Sequence, residues 1–411
     1  MSSDAAAIFR GGQWMSDQQG ALDGVRVLDL GQQVQGPQAA QLLSDLGAEV
    51  IKVELPEVGD QGRWTTVSPD DPRSPIFIAC NRGKRGITLD LRVEAGRAVF
   101  LRLVDTADVL ISNFVPGTLD RWGLGHAALA ERNPRLVYAT GSTFGPVGTD
   151  ADQRGGDLAG QAAGGLIART GPSDPTPIGA TVADHLGSQS MANGILAALY
   201  ARQRTGRGQR VDVSLLGAVL FAQAHELTYS LLTGRNPGEV DRGHPLLHAL
   251  YGVLPTADGH IAIVGVIPEQ RPVFFETIRR SELLEDPRFT APLYPPEVRH
   301  ELFDRLSETF RTRSTADWAS VLREVGIRHA PVRDYTEVMQ DEGVYENGYL
   351  ERFEHPEWGE TVGMGCPIRL SETPARPGRL APELGQHTEE VLLELGIGWD
   401  EIATLREVGA I

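Results

Sequence analysis

The sequence contains little lysine, little cysteine and no long hydrophobic run. Its only lysines are Lys52 and Lys84, and its only cysteines are Cys80 and Cys366. The cysteines show neither a zinc-binding spacing nor a disulfide framework, so we predict no metal site. No apolar run approaches ~18 residues, and the N-terminus lacks a basic start followed by an apolar stretch, so we predict neither a membrane span nor a signal peptide. These absences favour a cytoplasmic protein.

The charge balance is strongly acidic. The formal net charge is −17, which is unfavourable for contacts with a phosphate backbone, so we predict no nucleic-acid partner. An anionic small ligand is still compatible with this charge, because a local basic cluster inside an acidic protein is sufficient to bind it. With 411 residues the chain is long enough for two or more domains and a large core.

Strand and helix patterns alternate through the first 140 residues. Residues 25–30 are typical of a buried strand, 37–47 of a helix and 49–53 of a second strand. Further strand patterns stand at 86–91, 108–113 and 136–140, with a helix at 94–107. The alternation predicts an α/β domain with a Rossmann-like, mostly parallel sheet, in which ligands bind at the carboxyl ends of the strands.

The turn after the first strand does not have the dinucleotide-binding sequence. Residues 31–37 are Gly-Gln-Gln-Val-Gln-Gly-Pro, not G-x-G-x-x-G, so a nicotinamide enzyme is disfavoured. The ligand candidates are instead the residues just past the strands: Val34, Gln35, Arg92, Asn113, Phe114 and the segment 142–148.

The composition changes near residue 236. A hairpin pattern at 251–264 and several helical patterns after it are typical of a smaller α+β domain. We predict a large domain of residues 22–225 plus 340–411, a small domain of residues 236–335, and linkers at 226–235 and 336–339.

An acidic residue, Asp184, stands close to a predicted helix. Residues 188–200 have apolar residues at helical spacing, whereas 177–187 has no helical period. Asp184 is therefore either an N-cap of that helix, or a carboxylate nucleophile near backbone N–H groups that hold a developing oxyanion. The local pattern does not separate these two hypotheses.

Several separate motifs resemble the family III CoA-transferases (CaiB/BaiF type), which include formyl-CoA transferase, carnitine CoA-transferase and α-methylacyl-CoA racemase. Residues 28–37 and 46–54 resemble the opening of that family, and 81–92 resemble its Asn-x-x-Lys-Arg-x-Ile-x-Leu-Asp-Leu stretch. Residues 113–125 resemble its Asn-Phe-x-Pro-Gly segment, and 205–214 and 384–392 match as well. The resemblance runs from about residue 22 to the C-terminus.

The resemblance implies that Asp184 is the catalytic carboxylate. It would attack an acyl-CoA thioester to form a mixed anhydride, and the CoA thiolate would then convert this into an aspartyl-CoA thioester. A carboxylic acid acceptor would reverse these steps and leave as the new acyl-CoA. No cofactor would be bound permanently, because the CoA thioester is the substrate.

The resemblance also implies the residues of the CoA site and the assembly. The residues carried over to CoA binding are Val34, Gln35, Leu89, Leu91, Arg92, Asn113, Phe114, Val115, Arg121, Arg154 and Asp157. Arg121 and Arg154 would contact the CoA phosphates, to which arginine is well suited. Core packing is the alternative for Leu89, Leu91 and Phe114, and a salt bridge is the alternative to a phosphate contact for Lys84. The small domain would be inserted into the large one, in a homodimer of interlocked rings.

Two departures from the family pattern make alternative activities less favourable. The racemase branch has a histidine where this chain has Gly156, so an acyl-CoA racemase or isomerase that uses Asp184 with Asp157 is disfavoured. The oxalate-using branch has a tyrosine at the same position, so formate/oxalate exchange is disfavoured too. A third hypothesis is a CoA-binding protein without turnover. His185 is interpreted as structural, and His244 and His248 either recognise an acceptor carboxylate or have a hinge or surface role.

Overall fold

The protein is described by a computed structural model, which covers residues 19–171, 174–238, 243–247, 249–291, 294–378 and 380–411. It divides into two compact units. The first comprises the chain up to Asp157, Val182–Ala218 and Tyr345–Ile411, and the second comprises Leu158–Thr181 and Val219–Val344. Residues 158–181, 219–225 and 340–344 thus group with the second unit, whereas the sequence prediction put them in the large domain.

The strands of the described residues lie in both units. In chain order they are β1 Arg26–Asp29, β2 Glu49–Glu54, β3 Arg85–Thr88, β4 Val109–Ser112, β5 Val137–Ser142, β6 Arg210–Ser214, β7 Leu250–Pro255, β8 His260–Val266, β9 His329–Pro331, β10 Leu350–His355 and β11 Gly359–Met364.

Helices follow or connect most of these strands. In chain order they are α1 Gln35–Asp45, α2 Pro75–Asn81, α3 Glu94–Thr106, α4 Thr118–Arg121, α5 His126–Arg132, α6 Asp157–Ala163, α7 Val182–Thr205, α8 Leu215–Ala222, α9 Ala224–Thr233, α10 Arg271–Thr277, α11 Pro287–Thr290, α12 Pro296–Phe310, α13 Thr315–Glu324, α14 Tyr335–Gln340, α15 Glu342–Glu346, α16 Thr388–Glu394 and α17 Trp399–Glu407.

The first unit contains a six-stranded sheet in the order β3-β2-β1-β4-β5-β6, and every pairing in it is parallel. The central strands are buried on both faces, which explains why Val27 and Leu28 of β1 and residues 109–111 of β4 are consecutive apolar residues without alternation. One core cluster packs α3, α16 and α17 onto the sheet, and another packs α1 and α7. The predicted α/β fold with a parallel sheet is confirmed, and the strand order is that of dinucleotide-binding folds.

The second unit has its own sheet and core. Strands β7, β8 and β9 form an antiparallel sheet, with β7 and β8 where the hairpin was predicted. Aromatic residues from α10, α12 and α13, including Phe274, Phe303 and Trp318, are buried in its core. Residues 226–235 and 336–339, predicted as linkers, lie largely within α9 and α14.

No single helix in the described part of the chain is long and apolar enough to cross a membrane. The helices α8 and α9 meet the length and composition criteria only as a bent pair.

Candidate functional site

A cavity of about 670 Å³ lies in the first unit, where the parallel strands end. Its walls come from the segments that follow β1, β2, β3, β4 and β5, together with the start of α7. This is the position at which parallel α/β sheets bind ligands, because the loops there project beyond the sheet. The residues that line it include Gln32, Gln33, Val34, Gln35, Glu54, Gln61, Trp64, Asp90, Arg92, Asn113, Thr118, Arg154 and Asp184.

Asp184 lies in the first turn of α7 and lines this cavity. The helix begins at Val182, so the sequence prediction of a start near residue 188 is wrong, and Asp184 is not its N-cap. The cap comes from a distant segment: Asp157 Oδ1 accepts hydrogen bonds from the N–H groups of Ala183 at 2.8 Å and Asp184 at 3.2 Å. No local sequence signal marks such a cap.

The carboxyl group of Asp184 is hard to ionise. Burial, and secondly the negative charge of Asp157, raise the pKa of Asp184 to about 7. Two other acidic side chains line the cavity, and each is paired with an arginine: Glu54 with Arg63, and Asp90 with Arg92. Among the described residues Asp184 has no ion pair. It is therefore, among the described residues, the lining carboxylate that no cation holds.

The side-chain amide of Gln35 stands beside the same site. Gln35 is only 3% exposed, and its Nε2 has no hydrogen-bond partner among the described residues. A Cβ atom on Gly141 would lie 2.3 Å from Gln35 Oε1, and one on Gly187 would lie 3.0 Å from Nε2. The amide is thus confined between two glycines. An unpaired, buried N–H donor is costly, so a bound ligand would gain a hydrogen bond here.

Most of the residues predicted for CoA binding come together in this cavity. Its lining includes Val34, Gln35, Leu89, Leu91, Arg92, Asn113, Phe114, Val115 and Arg154. Leu89 and Leu91 also belong to the main core cluster, as the core-packing alternative predicts, and their role in CoA binding stays a prediction. Two predicted residues do not line the cavity. Asp157 caps α7, and Arg121 donates a hydrogen bond to Oγ1 of Thr118, which does line it.

Sequence reasoning missed one wall of the cavity. The segment after β2 contributes Leu55, Val58, Gln61 and Trp64, and Trp64 is 60% exposed. The first turn also contributes Gln32 and Gln33. Both segments follow the carboxyl ends of strands, which is the sequence signal that marks ligand-binding segments in parallel sheets.

Two arginines give the cavity its positive charge. Arg92 forms a bidentate pair with Asp90. Arg154 is exposed and has no ion pair among the described residues. Among the described lining residues, Arg154 is therefore the cation that is available to an anionic ligand.

The two lysines do not reach the cavity. Lys84 is buried and donates to Asp29 Oδ2 at 2.7 Å and to Pro37 O and Asn81 Oδ1 at 2.8 Å. Burial lowers the pKa of Lys84 to about 8, although Asp29 acts in the opposite direction. Its contacts are those of the salt-bridge alternative and not of a phosphate contact.

The histidines that the sequence singled out lie elsewhere. His185 Nδ1 is 2.7 Å from Gln38 Oε1 on α1, and His185 does not line the cavity. In the second unit, His225, Glu226 and His244 are close enough to share a metal ion. However, His244 Nδ1 accepts from the Leu246 N–H while Nε2 lies 2.6 Å from Glu226 Oε1, so both ring nitrogens are engaged within the protein. His248 lies outside the described residues.

Residues 22–388 match the family model described as CoA-transferase family III. The succinyl-CoA:mesaconate CoA-transferase of Haloarcula hispanica is 34% identical, over 92% of this chain and 97% of that protein. The succinyl-CoA–D-citramalate CoA-transferase of Chloroflexus aurantiacus is 36% identical, over 94% and 96%. The formyl-CoA:oxalate CoA-transferase of Streptomyces coelicolor is 33% identical, over 95% and 99%.

Solved structures show the same fold over nearly the whole chain. A CAIB/BAIF family protein from Brucella suis superposes with a TM-score of 0.81 at 33% identity, over 92% of this chain and 100% of that one. The Rv3272 protein of Mycobacterium tuberculosis superposes with a TM-score of 0.78 at 31% identity, over 91% and 99%.

Proposed function

The chain belongs to family III of the CoA-transferases and is a CoA-transferase, and from this premise we propose that it moves CoA between two carboxylic acids by way of Asp184. The observation that supports the proposal is the position and the lack of an ion pair of the Asp184 carboxylate. It lines the cavity at the carboxyl ends of the strands, and it is the lining carboxylate without an ion pair among the described residues.

The covalent steps balance without a further reactant. An Asp184 oxygen attacks the thioester carbonyl, CoA leaves as a thiolate, and a mixed anhydride is formed. The thiolate then attacks the aspartyl carbonyl, which releases the donor acid and leaves an aspartyl-CoA thioester. The acceptor carboxylate attacks that thioester and expels the thiolate, which leaves a second mixed anhydride. The thiolate then attacks the acceptor carbonyl of this anhydride, which forms the new acyl-CoA and regenerates Asp184.

The surrounding residues are assigned roles in binding. We assign the adenosine end of CoA to the cleft between the segments after β3 and β4, where Leu91 and Asn113 lie. Arg154, and Arg121 through its position next to Thr118, would pair with the phosphates. Water must be kept from this cavity, because anhydride and thioester intermediates hydrolyse.

The choice of acids is proposed from the relatives. Two of the three similar enzymes named above use succinyl-CoA as the donor. We therefore propose succinyl-CoA as the first donor to test, with short dicarboxylic acids as acceptors. Proton transfer in the manner of a racemase is disfavoured, because Asp157, the second acid/base group that it would need, already accepts two backbone hydrogen bonds.

We also propose the homodimer of interlocked rings, with the second unit inserted in the first. Supporting it, the second unit exposes large apolar side chains, with Phe221 83%, Leu231 77% and Leu232 81% exposed. An isologous dimer would bury them. Sedimentation of the purified protein tests this proposal, and a monomer at micromolar concentration would contradict it. A cytoplasmic location stays a prediction.

Intact-protein mass spectrometry tests the covalent mechanism. The enzyme is mixed with succinyl-CoA or acetyl-CoA and then with hydroxylamine, with the Asp184→Ala and Asp90→Asn variants as controls. We expect the mass of one CoA to be added in the wild type and in Asp90→Asn, to map to Asp184, and to be removed by hydroxylamine. A CoA adduct in Asp184→Ala, or wild-type transfer with no adduct on Asp184, would overturn the mechanism.

A further inference from the structure

We propose that Lys52 and Asp60 form a buried positioning pair that holds the first turn of the cavity, residues 31–35, in its binding shape. The inference rests on the proposed function, since it concerns how this cavity receives CoA. Both residues are fully buried, and neither touches the cavity itself. They act through the backbone of the turn.

Lys52 holds the beginning of the turn. It lies on β2, and its ammonium group donates to the carbonyl oxygen of Gly31 at 2.8 Å. The same nitrogen pairs with Asp60 Oδ2 at 2.8 Å and lies 3.8 Å from Asp29 Oδ2. Burial alone would lower the pKa of Lys52, but Asp29 and Asp60 raise it above its ordinary value. The residue is therefore charged at neutral pH.

Asp60 holds the middle of the turn. Its Oδ1 accepts hydrogen bonds from the N–H groups of Gln33 at 2.8 Å and Gly62 at 2.7 Å. Gln33 has a φ of +60°, a left-handed conformation that costs a residue other than glycine roughly 1–2 kcal/mol. Such a conformation persists only where surrounding contacts fix it. The Asp60 carboxylate supplies one such contact.

The rest of the turn is held by side chains at the ends of other strands. The Gly31 N–H donates to Asp29 Oδ1 at 2.7 Å. Asn113 accepts from the Gln32 N–H and donates to the Gln32 carbonyl oxygen. The backbone groups from the Gly31 N–H to the Gln33 N–H are thus each held by a polar side chain, and Gln32 to Gln35 line the cavity wall.

The chemistry of lysine explains its presence in a chain that otherwise uses arginine. An ammonium group is compact and has three donors, whereas a guanidinium group is a wide planar fork. The space around Lys52 Nζ is occupied by Gly31 O and two carboxylates. Asp60 is equally specific, because it uses one oxygen for the turn and the other for Lys52. Asparagine has a single oxygen, so the Asp60→Asn variant must lose one of these two contacts.

The test compares Asp60→Asn with a matched control, Asp45→Asn. Asp45 is also fully buried, and it pairs with Arg82 in the same unit. Like Lys52 and Asp60, neither Asp45 nor Arg82 lines the cavity. We expect both variants to lower Tm. We expect only Asp60→Asn to weaken binding of CoA, by about tenfold or more by calorimetry, because a small misplacement of contact groups has effects of this size. Hydrogen exchange in a peptide covering residues 30–36 should accelerate in Asp60→Asn alone.

Equal CoA affinity and equal exchange in both variants would overturn the inference and leave a structural role only. Where Asp60→Asn does not fold, the double variant Lys52→Met/Asp60→Leu replaces it, because it leaves neither charge buried without its partner. That variant should fold and still bind CoA at least about tenfold more weakly; wild-type affinity would refute the pair's positioning role. If the wild type itself does not bind CoA, the proposed function fails, and this outcome is distinct from the others.

Discussion

The carboxylate of Asp157 accepts a hydrogen bond from the backbone N–H of Asp184, so the residue that caps α7 also places a negative charge next to the proposed nucleophile. The first effect orders the turn on which Asp184 stands. The second adds to the larger effect of burial in raising the pKa of Asp184. One side chain thereby links the geometry of the site to its pH dependence.

The rate of covalent adduct formation is expected to rise with pH through about 7, because only the ionised Asp184 attacks the thioester and its pKa is raised to about 7. Rapid-quench measurements of aspartyl-CoA formation between about pH 5 and pH 9 provide the profile. A rate that is already at its plateau near pH 5 would show that Asp184 ionises normally in the free enzyme.

The Asp157→Asn variant should shift this profile to lower pH. The amide oxygen can still cap α7, but the like charge that helps to raise the pKa of Asp184 is gone. Burial is the larger cause and remains, so the profile should stay above that of a free aspartate. The same rapid-quench series measures the shift, and an unchanged profile would argue that the charge of Asp157 does not reach Asp184.

Stability should depend on pH through the same group. The folded-state pKa of Asp184 is raised above the ordinary 3.8, so its contribution to stability is present at low pH and is lost as pH rises through about 7. The Asp184→Asn variant should therefore exceed the wild type in free energy of unfolding at high pH, by up to ~4 kcal/mol, and the difference should shrink towards pH 4. Thermal unfolding of both proteins across pH checks the sign.

The Gly141→Ala variant should lose more activity than a variant in which alanine at another glycine position crowds the core. Its new Cβ atom would lie 2.3 Å from Gln35 Oε1 and 2.9 Å from Met191 Cε, so the Gln35 amide in the cavity wall must move. A displacement of about 1 Å at such a site costs up to roughly a hundredfold in kcat/KM. Gly194→Ala is the matched control, because its Cβ atom meets Val211 in the core rather than the cavity. Similar kcat/KM values for the two variants would contradict the role given to Gln35.

The Arg154→Gln variant should raise KM for CoA thioesters with little change in kcat, since Arg154 is the lining arginine without an ion pair among the described residues. The Arg207→Gln variant, at an exposed arginine in another loop, serves as control. Dissociation constants for CoA and for CoA without its 3′-phosphate then show which phosphate Arg154 contacts. Wild-type affinity for both ligands would remove Arg154 from the site.

The fold was readable from the sequence because the strands of the parallel sheet are short apolar runs separated by helical patterns. Most site residues followed, since they lie directly after strands or inside motifs that resemble the family. The start of α7 was not readable: its cap, Asp157, is 26 residues before the nearest N–H group that it binds, and no local pattern records such a contact. The buried Lys52–Asp60 pair was missed for the same reason, because a lysine in a strand gives no sign of what its amine will meet.

The burial of both lysines affects how readily acyl-CoA thioesters can modify this protein. Acyl-CoA thioesters acylate accessible amines without a catalyst, and lysine is the usual target of such modification. Here Lys52 is 0% and Lys84 is 4% exposed, and the sequence contains no other lysine. The folded chain consequently offers no side-chain amine on which acyl groups from its own substrates would accumulate. We therefore expect little self-acylation of the folded protein, and a lysine introduced at an exposed position should restore a target for it.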